Sequence, residues 1–504
     1  MKPLQKSYVL LAGLNVVLWL VAAQAAAVQI EDLCLSGDTE LEIELRSRSG
    51  SPLLLELLIR DPDLVVDTVK LSSESSRAAF AGGGAELIEI ALTPFQQPGV
   101  YELTLSLETD AATCTRQLEI GFIDFVWGRD NFRFTNARSG HGSARPYSAV
   151  LFPWAAERFG DLQPEEHTLM LRVAYRLFGD AIGRCYAFSG SQLRFMRDPQ
   201  LLPSYYDSIY AVREPHRGVQ QQMNMLQNDI VFDHFVTNGY AVDQPQSLEA
   251  LRAELDSIVD TIARGHPVAF GYLAPKRHHS MLAYGYLAHP ASQQVTLITA
   301  NNWGDEVSQN LLSRAAERIA INLDPDHDNE RIRWIDSPIR EYRSAEHLFV
   351  VDIKDEFRHS RATLSRLLQQ QREELQRRQR AVVIVEEGRD AFVQDDHGNR
   401  VGRYGRRIHS DMDNFDYRQF DDVHIFEFPS REMVTLHVSE LSPRDDGAPV
   451  FPPNVFVLTH HGSAEAAVVQ HAVYKEIDIP DNQHFTLALS RDGLGRPAPP
   501  EAQE

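Results

Sequence analysis

Cysteine is scarce in this chain, with Cys34, Cys114 and Cys185 the only three among 504 residues. Positive charge is also in deficit, since 49 Lys and Arg stand against 71 Asp and Glu for a formal charge of −22. That balance opposes binding to nucleic acid or anionic lipid, so no nucleic-acid partner is expected. Past the N-terminus no apolar run approaches the ~20 residues that span a bilayer. Phosphate loops are missing too: "AGGGA" is followed by no Lys-Ser/Thr and reads as a turn. Metal-ligand spacing is equally absent, because His460 and His461 of "THHGS" have no acidic or Cys partner nearby. "DPDHDNERIRWID" begins like a calcium loop with Asp324, Asp326 and Asp328 but lacks the sixth-position Gly and the twelfth-position acid, so it reads as an acidic turn. No metal or other cofactor is expected.

What the N-terminus does hold is an address. "MKPLQKSYVLLAGLNVVLWLVAAQAAA" places Lys2 and Lys6 before a short apolar run and the A-x-A sequence Ala23-Gln24-Ala25. This is the layout of a secretory signal peptide over 1–25, so the mature protein is expected to be exported, periplasmic or secreted, without stable membrane insertion. In an oxidising compartment three cysteines imply one disulfide and one remainder. Cys34 and Cys114 share a strand-rich segment and are expected to pair, which leaves Cys185 as the odd thiol.

The chain is too long for one core, and its texture changes twice. Residues 26–122 show short alternating strands broken by turns, the pattern of an immunoglobulin-like β-sandwich. Over 123–352 helical periods, such as "TLMLRVAYRLFG" and "SLEALRAELDSIVDTIARG", mix with apolar strands "HPVAFGYL", "HSMLAYGYL" and "QQVTLITA", which indicates an α+β domain. Residues 353–380 lack Gly and almost all turn signals and are expected to form one long, largely solvated connecting helix. A second β-domain is expected over 381–495, from "AVVIVEEG", "VHIFEFP", "MVTLHVSEL", "NVFVLTH" and "HFTLALS". The tail, 496–504, is expected to be disordered.

Chemistry concentrates in the middle segment. "DAIGRCYAFSGSQLRF" puts Cys185 in the first turn of a helix, where orphan N–H groups and the helix dipole favour a thiolate and a developing oxyanion. "KRHHSMLAYGYL" supplies a strand-borne histidine, and "LITANNWGDE" supplies Asn301 and Asn302 at the end of the next strand. Two adjacent strands joined by a turn bring the start of one beside the end of the other, so His279 and Asn301 can be neighbours.

Taken in order, these three segments resemble the papain-like cysteine peptidases. "GRCYAFS" resembles the family's Gly-x-Cys-Trp-Ala-Phe-Ser segment, "HSMLAYGY" its His-Ala-Val-x-Ala-x-Gly-Tyr strand, and "NNWG" its Asn-Ser-Trp-Gly element. The resemblance implies Cys185 as nucleophile, His279 as general base and acid, Asn301 as the residue that orients it, and Trp303 as a shield over their contact. Register with Gly285-Tyr286 selects His279 over His278, and register with Trp303-Gly304 selects Asn301 over Asn302. It also implies a papain-like α+β domain between the two β-domains, a peptide or protein substrate, and amide hydrolysis through an acyl-enzyme. A silent binding or adhesion module and a transglutaminase-like acyltransferase are the alternatives. The family's oxyanion Gln, which normally precedes the nucleophile, is missing here, and Asn131 or Asn136 is the nearest substitute. The interval from Cys185 to His279 is shorter than the family's, and Arg184 stands where a small residue is usual. Composition says nothing about oligomeric state.

Overall fold

The computed structural model describes residues 40–46, 54–60, 68–72, 77–80, 87–91, 98–108, 113–126, 129–132, 147–178, 185–212, 217–237, 246–274, 277–289, 293–301, 317–325, 331–334, 343–405, 407–420, 423–440, 452–461, 468–479, 483–490, 493–494 and 498–502. The chain is mixed α+β, and every strand ladder among the described residues is antiparallel. It separates into two compact units. The first comprises 1–133, 192–212 and 242–351, and the second 134–191, 213–241 and 352–504.

In the first unit, strands β1 (Glu40–Arg46), β2 (Leu54–Arg60), β3 (Thr68–Ser72), β4 (Arg77–Phe80), β5 (Leu87–Ala91), β6 (Gly99–Glu108) and β7 (Thr113–Phe122) occupy the N-terminal segment. Further on come β8 (Val268–Ala274), β9 (Arg277–His289), β10 (Gln294–Ala300), β11 (Glu317–Asn322), β12 (Ile332–Trp334), β13 (Ser344–Ala345) and β14 (His347–Val350). β1, β2 and β5 form a small sheet. The others form one large sheet in the order β13-β12-β11-β10-β9-β7-β6-β3-β4, with β8 pairing β9 and β14. The ladder therefore runs on past residue 122, with Glu119 opposite Ala288 and Phe122 opposite Gly285. The join depends on a close approach: a Cβ at Gly121 would sit 2.1 Å from the Tyr286 ring. The same tyrosine donates its hydroxyl to Glu119 Oε1 at 2.7 Å.

"SLEALRAELDSIVDTIARG" forms the helix Leu248–Ala263, capped by Ser247, whose side chain accepts from the Ala250 N–H. Its Leu251, Leu255, Ile258 and Ile262 stripe is buried and packs on β14, β9 and β7. This is the amphipathic solution that the 3.6-residue period specifies.

In the second unit the helices are α1 (Ser148–Phe159), α2 (Pro164–Phe178), the start of α3 (Cys185–Arg197), α4 (Arg217–Val231) and, after α5 (the Leu248–Ala263 helix of the first unit), α6 (Arg361–Arg378). Residues 185–191 of α3 belong to this unit and 192–197 to the first. Strands β15 (Arg380–Glu386), β16 (Gly388–Asp395), β17 (Arg400–Tyr404), β18 (Arg407–Ser410), β19 (Asp416–Phe420), β20 (Val423–Pro429), β21 (Val434–Glu440), β22 (Asn454–His461), β23 (Val468–Tyr474), β24 (Gln483–Ser490), β25 (Gly493–Leu494) and β26 (Ala498–Ala502) make two sheets, β19-β20-β15-β22-β23 and β18-β17-β16-β21-β24-β25 with β26 on β24. Alternate residues Val383, Val385, Phe426 and Val457 of the first sheet and Val393, Leu436, Val438 and Leu487 of the second share one core. The other face of the first sheet is buried as well, through Val382, Ile384, Phe456 and Leu458. Burial on both faces explains why "AVVIV" is continuously apolar instead of alternating.

Three segments differ from their sequence expectation, the first being the separate β-sandwich expected over 26–122, four of whose strands instead continue the sheet of β9 and β10. The connecting helix runs only over Arg361–Arg378, capped by Ser360, and buries Leu364, Leu368 and Leu375. Those three leucines fall on one stripe, so the helix packs on its own unit through a narrow apolar seam. In the C-terminal tail Ala498–Ala502 pairs with β24, which satisfies backbone groups that the edge of that sheet would otherwise expose.

Candidate active site

His279 lies near the start of β9, opposite Tyr272 of β8, and Asn301 follows directly on β10. The β9–β10 register places Ala300 opposite Leu282, with a bulge at Ile298/Thr299. Both side chains are buried, and His279 Nε2 meets Asn301 Oδ1 at 2.9 Å. Asn301 Nδ2 in turn donates to Glu317 Oε2 at 2.8 Å. A carboxylate only accepts hydrogen bonds, so Glu317 settles which end of the Asn301 amide faces the histidine. Oδ1 is likewise an acceptor only, so Nε2 of His279 carries the proton and Nδ1 becomes the basic nitrogen. Glu317 reaches this position because β11 opens at Glu317 opposite Thr299 of β10.

The indole of Trp334, on β12, stacks on the His279 imidazole with ring centroids 5.4 Å apart and planes 6° from parallel. Trp334 is itself buried and meets Tyr272 edge-on at 5.9 Å. It thus excludes water from one face of the histidine. Trp303, expected in that role from the resemblance, lies outside the described residues, as do Asn302, Arg184 and Asn136. Burial pushes the His279 pKa down to about 4, against the opposing hydrogen bond from Asn301. Its imidazole is therefore neutral over most of the pH range.

His278 and His234 are also pushed down to about 4, by burial first and then, for His278, by the nearby His347, while Asp233 opposes the shift at His234. The ordinary value is 6.5. Between the two values the unfolded chain takes up protons that the folded chain refuses, so stability present above about pH 6.5 is lost as pH falls toward 4. Each of the three histidines contributes a slope of up to about 1.4 kcal/mol per pH unit in that window. Urea midpoints measured at pH 7, 5.5 and 4.5 are expected to fall in that order, and a midpoint independent of pH would contradict these burials.

Cys185 belongs to the second unit and is the first residue of α3. It is a thiol, 3% exposed. Ala187, two residues on, donates its backbone N–H to Gln227 Oε1 of α4 at 2.9 Å. Gln227 opens a run of three buried polar residues. Asn228 Oδ1 accepts from the Tyr147 hydroxyl at 2.6 Å, and Asp229 accepts from Trp154 Nε1 at 2.7 Å and from Arg158.

The structure thus brings two of the three predicted catalytic side chains, His279 and Asn301, into direct contact and places Cys185 at a helix start. The expected Cys34–Cys114 disulfide lies outside the described residues, since Cys34 and the Cys114 side chain are not described. Asn131 is buried, and its Nδ2 donates to the Phe132 carbonyl at 3.0 Å. Among the described residues no group of three His, Cys, Asp or Glu side chains is arranged to hold a metal ion. Among the described residues no helix is long and apolar enough to cross a membrane.

Sequence reading passed over Glu317, Trp334 and Gln227. Glu317 opens "ERIAIN", a strand pattern whose partner strand was not assigned. Trp334 sits inside the stretch read as an acidic turn. The signal for Gln227 was present, because "QND" follows Val219, Met223 and Leu226 in a helix whose apolar period leaves no room for three consecutive solvated residues. No protein-family model matches the chain, and no curated protein matches it.

Proposed function

We propose that this protein is an exported thiol hydrolase, a cysteine peptidase of papain-like character, in which Cys185, His279 and Asn301 act together on the amide bonds of a peptide or protein. In this reading strands β3, β4, β6 and β7 extend the sheet that carries His279 instead of forming a separate β-domain before it. The observation that carries the reading is the relay from Glu317 through Asn301 to His279. It holds one imidazole nitrogen protonated and commits the other to act as base, which is the service a thiol nucleophile requires.

The steps follow from those roles. His279 Nδ1 takes the thiol proton as Cys185 Sγ attacks the carbonyl carbon. The resulting imidazolium gives that proton to the departing amine, leaving an acyl thioester on Cys185. Water attacks the thioester with His279 again as base, and the acid and the thiol are released. Asn301, backed by the Glu317 carboxylate, stabilises the imidazolium that forms in between.

Incubating the full chain with a denatured protein and a labelled primary amine tests this directly. Hydrolysis predicts new free carboxyl termini and a trapped acyl adduct on Cys185 by mass spectrometry. Incorporation of the amine in place of water would move the reading to acyl transfer. No product and no adduct would leave a binding module as the surviving interpretation.

A further inference from the structure

We propose that the second unit carries a binding site for a small zwitterion of the short-peptide class, a molecule with an ammonium, a carboxylate and apolar side chains. The site is a cleft of about 620 Å³ lined by α1, α2 and the chain entering β22 and leaving β23. That volume falls within the roughly 300–1,000 Å³ typical of small-molecule sites. Cys185, His279 and Asn301 are not among its lining residues, so the inference does not rest on the thiol-hydrolase reading.

The apolar wall is fixed. Phe152 of α1 meets Phe456 of β22 edge-on at 5.7 Å and lies against His167 of α2 at 4.3 Å, contacts that hold its ring in place. At the start of α1, Ser148 donates its backbone N–H at 3.0 Å and its hydroxyl to the Glu386 carboxylate, which also accepts from the Tyr175 hydroxyl at 2.6 Å. A buried carboxylate of the protein itself thus answers the positive end of the helix dipole, and the cleft must take its polarity from other groups.

Two features supply it. Pro153 lies inside α1 and has no N–H to give, so the Ala149 carbonyl loses the bond it would receive from the fourth residue on. Both residues line the cleft, which leaves an acceptor there on a rigid element. The second feature is the turn after β23, where Lys475 and Glu476 both line the cleft. Lys475 Nζ lies 5.7 Å from the centre of the Phe152 ring. Neither charge forms an ion pair with the other or with any further residue among the described residues. The Glu476 backbone is left-handed, with φ 50°, and its N–H donates to Asn454 Oδ1 at 2.9 Å, so the turn that presents the two charges is itself pinned.

The complement of these groups is a carboxylate for Lys475, an ammonium for the Ala149 carbonyl and Glu476, and an apolar body for Phe152 and Pro153. A simple anion would be opposed by Glu476 and a simple cation by Lys475. A neutral apolar ligand would strip water from both charges and return nothing. A zwitterion avoids all three penalties.

Equilibrium dialysis of the full chain against the dipeptide Leu-Phe, its N-acetyl derivative and its C-terminal amide tests the site, with the bound dipeptide confirmed intact by mass spectrometry. Saturable binding of Leu-Phe is expected, and each capped form is expected to bind about five- to tenfold more weakly. Lys475→Met is expected to bind the acid and the amide equally, and Glu476→Gln to reduce the penalty of N-acetylation. Ala156→Trp, at an exposed position of α1 that lines the cleft, is expected to abolish binding while leaving the urea midpoint unchanged. No saturable binding, or variants that weaken all three ligands by the same factor, would overturn the proposal. The Cys185→Ala chain is expected to bind Leu-Phe as the unmodified chain does. Loss of binding there would put the dipeptide at the thiol and overturn the separate site, whereas unchanged binding without hydrolysis of any peptide would sustain this site and count against the hydrolase reading alone.

Discussion

Cys185→Ala is expected to eliminate hydrolysis and covalent labelling at that position, and His279→Ala is expected to slow acylation by about 10²–10⁴-fold, the span that a positioned general base contributes. The sign of the pH dependence makes this result specific. His279 must be neutral to take the thiol proton, and burial sets its pKa at about 4. The rate is therefore expected to hold above that value and to fall as pH drops through it. A site that depended on a standing thiolate–imidazolium pair would behave in the opposite sense, losing rate as pH rises through the histidine pKa. Removing the ring also takes a stacked partner from Trp334. Each variant's folding should therefore be checked by urea titration, and acylation by p-nitrophenyl acetate read at a pH where the variant is folded. Equal acylation of the unmodified chain and His279→Ala would exclude His279 as the base.

The second large effect concerns stability. Arg172 of α2 is 1% exposed and forms a two-pronged pair with Glu427 of β20, Nε to Oε1 at 2.9 Å and Nη2 to Oε2 at 3.1 Å. Its Nη1 also reaches Glu374 at 3.3 Å and donates to Gln371. Burial would raise the Glu427 pKa, but the hydrogen bond and charge of Arg172, with Arg176 alongside, outweigh it and hold the carboxyl below its ordinary value. Glu427→Leu leaves the guanidinium buried without its main counter-charge and is expected to cost about 3–5 kcal/mol in urea unfolding. The double variant Arg172→Met with Glu427→Leu removes both charges and is expected to recover most of that loss, because packed apolar groups replace a desolvated pair at little net cost. A double variant no more stable than the single one would show that packing, and not charge burial, sets the penalty.

How far the site could be read in advance varied with how local its cause was. His279 and Asn301 were legible because each sits on an apolar strand with its own pattern, and because the strands are consecutive in the chain. Cys185 was legible as a helix start for the same local reason. Glu317 was not, since its role depends on β11 pairing beside β10, and nothing in "ERIAIN" names its neighbour. Trp334 was hidden by the acidic residues before it, and its function depends on a plane-to-plane contact with a ring some 55 residues earlier in the chain.

From its sequence alone, then, many of this protein's strand and helix segments and the order of its three chemical motifs were determined, because propensity and alternation act over a few residues. Tertiary structure alone decided that the N-terminal strands continue the sheet carrying His279, that Glu317 orients Asn301, that Trp334 covers the imidazole, and that a glutamine from a later helix caps the helix that Cys185 begins. Each of these is a contact between segments far apart in the chain, set by which faces remain to be buried once the local elements have formed.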